Sequence, residues 1–110
     1  MDLRSVVKEK KYVPKWKEND KSEPHEQFVI NFKNFPGSSQ LNKYISTEGK
    51  IDFSNFLIEN IGKVENLRIN GNEVGNGYAL AQARHPDLLG LFVELFNYAF
   101  PEGEDLSEGE

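Results

Sequence analysis

Few side chains in this sequence have the types and spacing that chemistry requires: His25 and His85, the carboxylates Asp52 and Glu59, the glycines between 71 and 77, and lysines interleaved with Tyr12 and Trp16. The chain has 2 histidines and no cysteine, so a metal site would have to rest on imidazole and carboxylate alone. His25 lies between Pro24 and Glu26 in a polar stretch, and His85 precedes Pro86 at an expected helix start, where it caps or faces water. Two such ligands need a third partner, and the sequence offers none that can be identified. No metal and no cofactor are expected.

Asp52 and Glu59 are seven residues apart and would share a helix face. A glycosidase needs such a pair, yet two solvated surface carboxylates account for it more often. Gly71-Asn-Glu-Val-Gly-Asn-Gly77 lacks the Lys-Ser/Thr of a phosphate loop and the G-x-G-x-x-G spacing, and a hairpin explains its glycines. No serine sits in a nucleophile elbow, and without cysteine there is no thiolate nucleophile. The expectation is therefore a chain without catalytic residues.

Lys8, Lys10, Lys11, Lys15 and Lys17 alternate with Tyr12 and Trp16, a pattern used on single-stranded nucleic acid. Glu9, Glu18, Asp20, Glu23 and Glu26 dilute it, so a solvated arm is the commoner explanation. Tyr12 and Trp16 remain candidate anchors for a protein partner, since tryptophan is enriched at binding hot spots.

The elements that would position these residues fit within one domain at 110 residues. Hydrophobic residues make up 37% and include 8 phenylalanines, enough for one core. The net charge of −5 is local: residues 1–99 hold all 13 Lys and Arg and 13 of the 18 acids, and the excess lies beyond Pro101. A balanced body lacks the clustered cations of a dedicated nucleic-acid binder. Cysteine-free composition favours a reducing compartment, Asp2 and Arg4 interrupt any leader-like start, and the longest apolar-rich segment, 88–100, is too short to span a bilayer. A cytoplasmic protein is expected.

Residues 1–26 read as a polar arm, residues 27–100 as a single α+β domain, and residues 101–110 as a disordered acidic tail. In the arm, Lys11 to Lys17 is either a short edge strand, which tolerates Pro14, or a mobile segment that docks its aromatics. Phe28, Ile30 and Phe32 fall on one face of a strand that Pro36-Gly37 stops. A short helix is expected over 38–45, and a second runs from an Asp52 or Ser54 cap to Gly62 as C′ residue. Val64 to Val74 reads as a hairpin turning at Asn70-Gly71, and Tyr78 to Arg84 as a helix. The last helix begins at Pro86 and ends near Phe100, with Asp87, Gly90, Glu94 and Asn97 as a narrow polar stripe for water. The fold class is thus α+β, a small antiparallel sheet packed against three or four helices, with mobile ends.

The order of these segments resembles that of tail assembly chaperone-like small tail proteins of tailed bacteriophages and prophages. The likeness runs from Tyr12-Val-Pro-Lys-Trp-Lys-Glu-Asn19 through Phe28-Val-Ile-Asn-Phe-Lys33, Asn66-Leu-Arg-Ile-Asn-Gly71 and Asn76-Gly-Tyr-Ala-Leu80 to Arg84-His-Pro-Asp-Leu88. The resemblance implies a non-enzymatic factor that coats a helical partner such as the tape-measure protein while the tail tube forms. The alternative is a small intracellular regulatory or adaptor module using the Tyr12–Trp16 arm on protein or single-stranded nucleic acid. Leu88, Leu91, Phe92 and Leu95 on the last helix join Tyr12 and Trp16 as candidate partner-binding residues, and self-association is a further expectation.

Overall fold

Alternation decides the sheet. In β2 (Val29–Phe32) Ile30 and Phe32 are buried while Val29 and Asn31 stay half-exposed. β2 is the middle strand of an antiparallel sheet ordered β1-β2-β3, with β1 at Lys10–Tyr12 and β3 at Ile61–Glu65. Tyr12 lies opposite Ile30, which lies opposite Val64, so three apolar side chains share the inner face. The structure, a computed structural model, describes residues 10–33 and 42–100. The mobility expected of residues 1–8, the disorder expected of 101–110 and the first half (38–41) of the helix expected over 38–45 concern segments outside the described residues. Of its second half, Asn42 and Lys43 lie in a 3-10 turn and Ile45 bridges antiparallel to Ile51, so no α-helix runs to Ile45.

The fold is the α+β arrangement expected. A second antiparallel pair, β4 (Arg68–Ile69) and β5 (Asn72–Glu73), turns at Asn70 and Gly71, whose φ values of 54° and 81° are those of a type I′ turn. The hairpin is shorter than the 64–74 span suggests. Val64 pairs with β2 instead, and the returning chain laps onto β3 through the bond from Val64 N–H to the Gly75 carbonyl.

Three α-helices cover the inner face: α1 (Phe53–Asn60), α2 (Gly77–Gln82) and α3 (Leu88–Ala99). Asp52 caps α1 by accepting from Asn55 N–H at 3.1 Å, as expected. Gly62 does not end that helix. The chain turns extended at Ile61, where Ile61 and Val64 become strand partners of Phe32 and Ile30. α2 starts one residue before Tyr78, capped by Asn76, and stops at Gln82. Its first residue explains a glycine: a Cβ on Gly77 would overlap the Leu57 carbonyl oxygen and lie 2.5 Å from that of Ile61. α2 therefore seats on the junction of α1 and β3 as no other residue would allow. α3 begins two residues after Pro86, which occupies the preceding turn.

From Lys10 onward, the expected polar arm is an integral part of this unit. β1 pairs with β2, Pro14 is fully buried, and Asn19 is a buried polar anchor. The Asn19 side chain accepts from Phe28 N–H at 2.9 Å and donates to the carbonyls of Pro14 and Phe28. Of the two alternatives for Lys11–Lys17, the edge strand forms only as far as Tyr12; beyond it the chain leaves the sheet, and Tyr12 and Trp16 dock on the last helix.

Candidate protein-binding site

The last helix is where the candidate residues converge, and it is arranged differently from the expectation in one respect. Asp87, Gly90 and Glu94 do not face water alone: Glu94 is half-buried, and Asp87 and Gly90, though exposed, are touched by another part of the chain. The segment Tyr12–Lys17 lies across them as a strap. The Glu94 carboxylate accepts from the Tyr12 hydroxyl at 2.5 Å and from Lys15 N–H at 2.6 Å. The Trp16 indole N–H donates to the Asp87 carbonyl at 3.2 Å, and its ring lies 3.5 Å from where a Cβ on Gly90 would be. Lys17 pairs with the Asp87 carboxylate at 2.5 Å, and Tyr12 stacks on Tyr98 with centroids 3.9 Å apart. A stripe spaced for one side of a helix is polar either because water meets it or because a polar segment does. Helical periodicity cannot tell these apart.

The electrostatics follow from this seating. Burial, reinforced by the Glu94 carboxylate, pushes the Tyr12 hydroxyl well above its ordinary range, so it stays a donor. Lys17 holds the Asp87 carboxyl below its usual value. On the far side of the core, Glu59 is held down by hydrogen bonds from Lys43 at 2.9 Å and from the Tyr44 hydroxyl at 2.7 Å. The Tyr44 oxygen also accepts from the buried Asn60 amide. Asp52 and Glu59 are thus a helix cap and a tyrosine anchor. His85 Nδ1 accepts from Asp87 N–H in the turn before α3, and His25 lines a polar groove with Asn66, Arg68 and Glu73. Among the described residues no group of three or more histidines and acids is placed to hold a metal ion.

Of the candidate residues on α3, Leu88 is 2% exposed and Leu91 and Leu95 are not exposed at all. They form the core with Phe32, Phe56 and Phe96. Phe92 is half-buried, its ring 5.9 Å from that of Phe53. Tyr12 and Trp16 are half-buried beneath the strap's own contacts. The apolar surface left on α3 is Leu89, 59% exposed, and Val93, 40% exposed, one turn apart. No protein-family model, curated protein or solved structure matches the chain.

The row of Leu89 and Val93 is bordered on one side by the strap over Gly90 and on the other by Phe92 and Phe53. Both residues are apolar and lie off the polar stripe that the sequence defines on this helix. Which part of the helix's apolar girth stays outside depends on where α1 and the strap pack. A third exposed apolar side chain, Tyr78, is 62% exposed beside a groove of about 430 Å³ between the β4–β5 hairpin and α2, lined also by Ile69, Val74, Ala83 and Arg84. Among the described residues no helix is long and apolar enough to cross a membrane.

Proposed function

We propose that this chain is a non-enzymatic protein-binding domain that lays an amphipathic helix of its partner along the Leu89–Val93 row of α3. The observation that carries the reading is the exposure of those two residues, one turn apart, on a helix whose other large apolar side chains are buried or half-buried. Leucine and valine at 59% and 40% exposure give up apolar surface to water that a partner helix would recover. The half-buried Phe92–Phe53 pair beside them supplies the aromatic border typical of such contacts.

Together with the segment order described above, this supports a cytoplasmic assembly factor of a phage or prophage tail, with the tape-measure protein as its helical partner. An adaptor using Tyr12 and Trp16 directly is less well supported, because both would first have to leave Glu94, Tyr98 and Asp87. The test is calorimetric titration of the full chain with a helical tape-measure fragment, compared with Leu89→Asp and Val93→Asp. Both sites are exposed, so circular dichroism of the variants should match the wild type. Binding that weakens at least about tenfold in each variant is expected. Equal affinity of wild type and variants, or no affinity at all, overturns the reading.

A further inference from the structure

The strap is joined to the body through two residues in a conformation that L side chains rarely adopt. Lys17 has φ 51° and ψ 37°, and Glu18 has φ 60° and ψ 26°. Neither is glycine or asparagine, and they are consecutive. Left-handed backbone at such residues brings Cβ against the following carbonyl. The pair folds the strap back so that Trp16 reaches α3 of the same chain, with Glu18 N–H donating to the Lys15 carbonyl at 2.9 Å.

The strap's anchoring contacts are of a kind that another copy of the chain could satisfy equally well. Tyr12 and Lys15 bond Glu94, Tyr12 stacks on Tyr98, Trp16 bonds the Asp87 carbonyl, β1 pairs with β2, and the Pro14 carbonyl accepts from Asn19. Each of these joins residues 10–16 to groups that follow the Lys17–Glu18 hinge. None requires that strap and seat belong to one molecule. Opening the hinge to extended backbone would relieve both strained residues while every one of these contacts is re-formed in trans.

We propose that segment Lys10–Trp16 exchanges between two copies of this chain, each strap seated on the other's β2 edge and α3 to give a symmetric dimer. Exchange of an identical element costs little beyond association itself, and a strained hinge drives it. The occupant of the α3 seat in the dimer is the second copy's Tyr12-Val-Pro-Lys-Trp16.

One position separates the outcomes. Glu18 is exposed, and proline there fixes φ near −65°, removes the N–H given to Lys15 and pushes Lys17 towards extended backbone. Glycine there accepts the left-handed conformation without cost. Light scattering across a concentration series gives the association constant, and emission from Trp16, the only tryptophan, reports whether the strap is seated. The expected result is a wild-type dimer that grows with concentration, tighter dimerisation in Glu18→Pro with unchanged emission, and roughly 30- to 900-fold weaker dimerisation in Glu18→Gly, since both copies open the hinge and the relief of about 5- to 30-fold per copy counts twice. A folded, monomeric Glu18→Pro at millimolar concentration overturns the proposal. If that variant does not fold, equal association constants for wild type and Glu18→Gly, or no wild-type dimer at millimolar concentration, overturn it instead. A dimer that Leu89→Asp abolishes and that is indifferent to residue 18 is a face-to-face contact of α3, and that result also rejects strap exchange.

Discussion

Replacing Glu94 by alanine removes the one side chain that ties the strap to α3 by two hydrogen bonds. A bond to an ionised acceptor contributes about 1.5–3 kcal/mol, and the half-buried Tyr12 hydroxyl would lose its partner within the protein. Lys15 N–H is exposed and turns to water, so its bond adds about 0.5–1 kcal/mol. Alanine returns a few tenths through its helix propensity. The net expectation is a loss of about 2–3 kcal/mol, which for a domain near 100 residues lowers Tm by roughly 10–20 °C. Urea unfolding followed by circular dichroism measures the total, and Trp16 emission reports the strap itself. A double-mutant cycle with Tyr12→Phe then isolates the pair, with a coupling of about 1–2 kcal/mol expected. A Glu94→Ala protein within about 0.5 kcal/mol of wild type and with unshifted emission would show that Glu94 faces water and that the strap is not held there.

Gly77→Ala should destabilise by about 3 kcal/mol or more, since its Cβ meets backbone carbonyls rather than a flexible side chain; a denaturation midpoint like that of wild type would refute the tight seating of α2. Leu95→Ala should cost about 2–5 kcal/mol, and Phe92→Ala clearly less because Phe92 is only half-buried; equal costs would put both residues in the core. Stability should also depend on pH at both ends. Asp87, Glu59 and Glu65 are held below their usual values, chiefly by Lys17, Lys43 and Asn31 respectively, so their contribution is present above about pH 4–4.5 and is lost as pH falls through the lower folded-state values. Burial raises the hydroxyls of Tyr12 and Tyr44, so their contribution is intact below about pH 10 and is lost as pH rises past it. Urea midpoints unchanged between pH 5 and pH 3 would contradict the acid limb.

Local chemistry was sufficient for several features of this protein. Asn70-Gly71 dictates its turn because both residues accept positive φ, and Asp52 and Asn76 cap helices because their oxygens reach the first free N–H groups. The alternation of Ile30 and Phe32 and the apolar girth of α3 followed from period alone. Partners distant in sequence decided the rest. Gly62 looks like a helix stop, but the pairing of Ile61 with Phe32 sets the end of α1. Gly77 looks like loop punctuation, yet it is required where α2 meets the carbonyls of Leu57 and Ile61. The polar stripe of α3 reads the same whether water or Tyr12 occupies it, because periodicity records only that a face is polar. Contacts 79 and 82 residues apart in sequence, from Lys15 and Tyr12 to Glu94, settled that face. By the same packing they left Leu89 and Val93, rather than Leu91 and Leu95, on the outside.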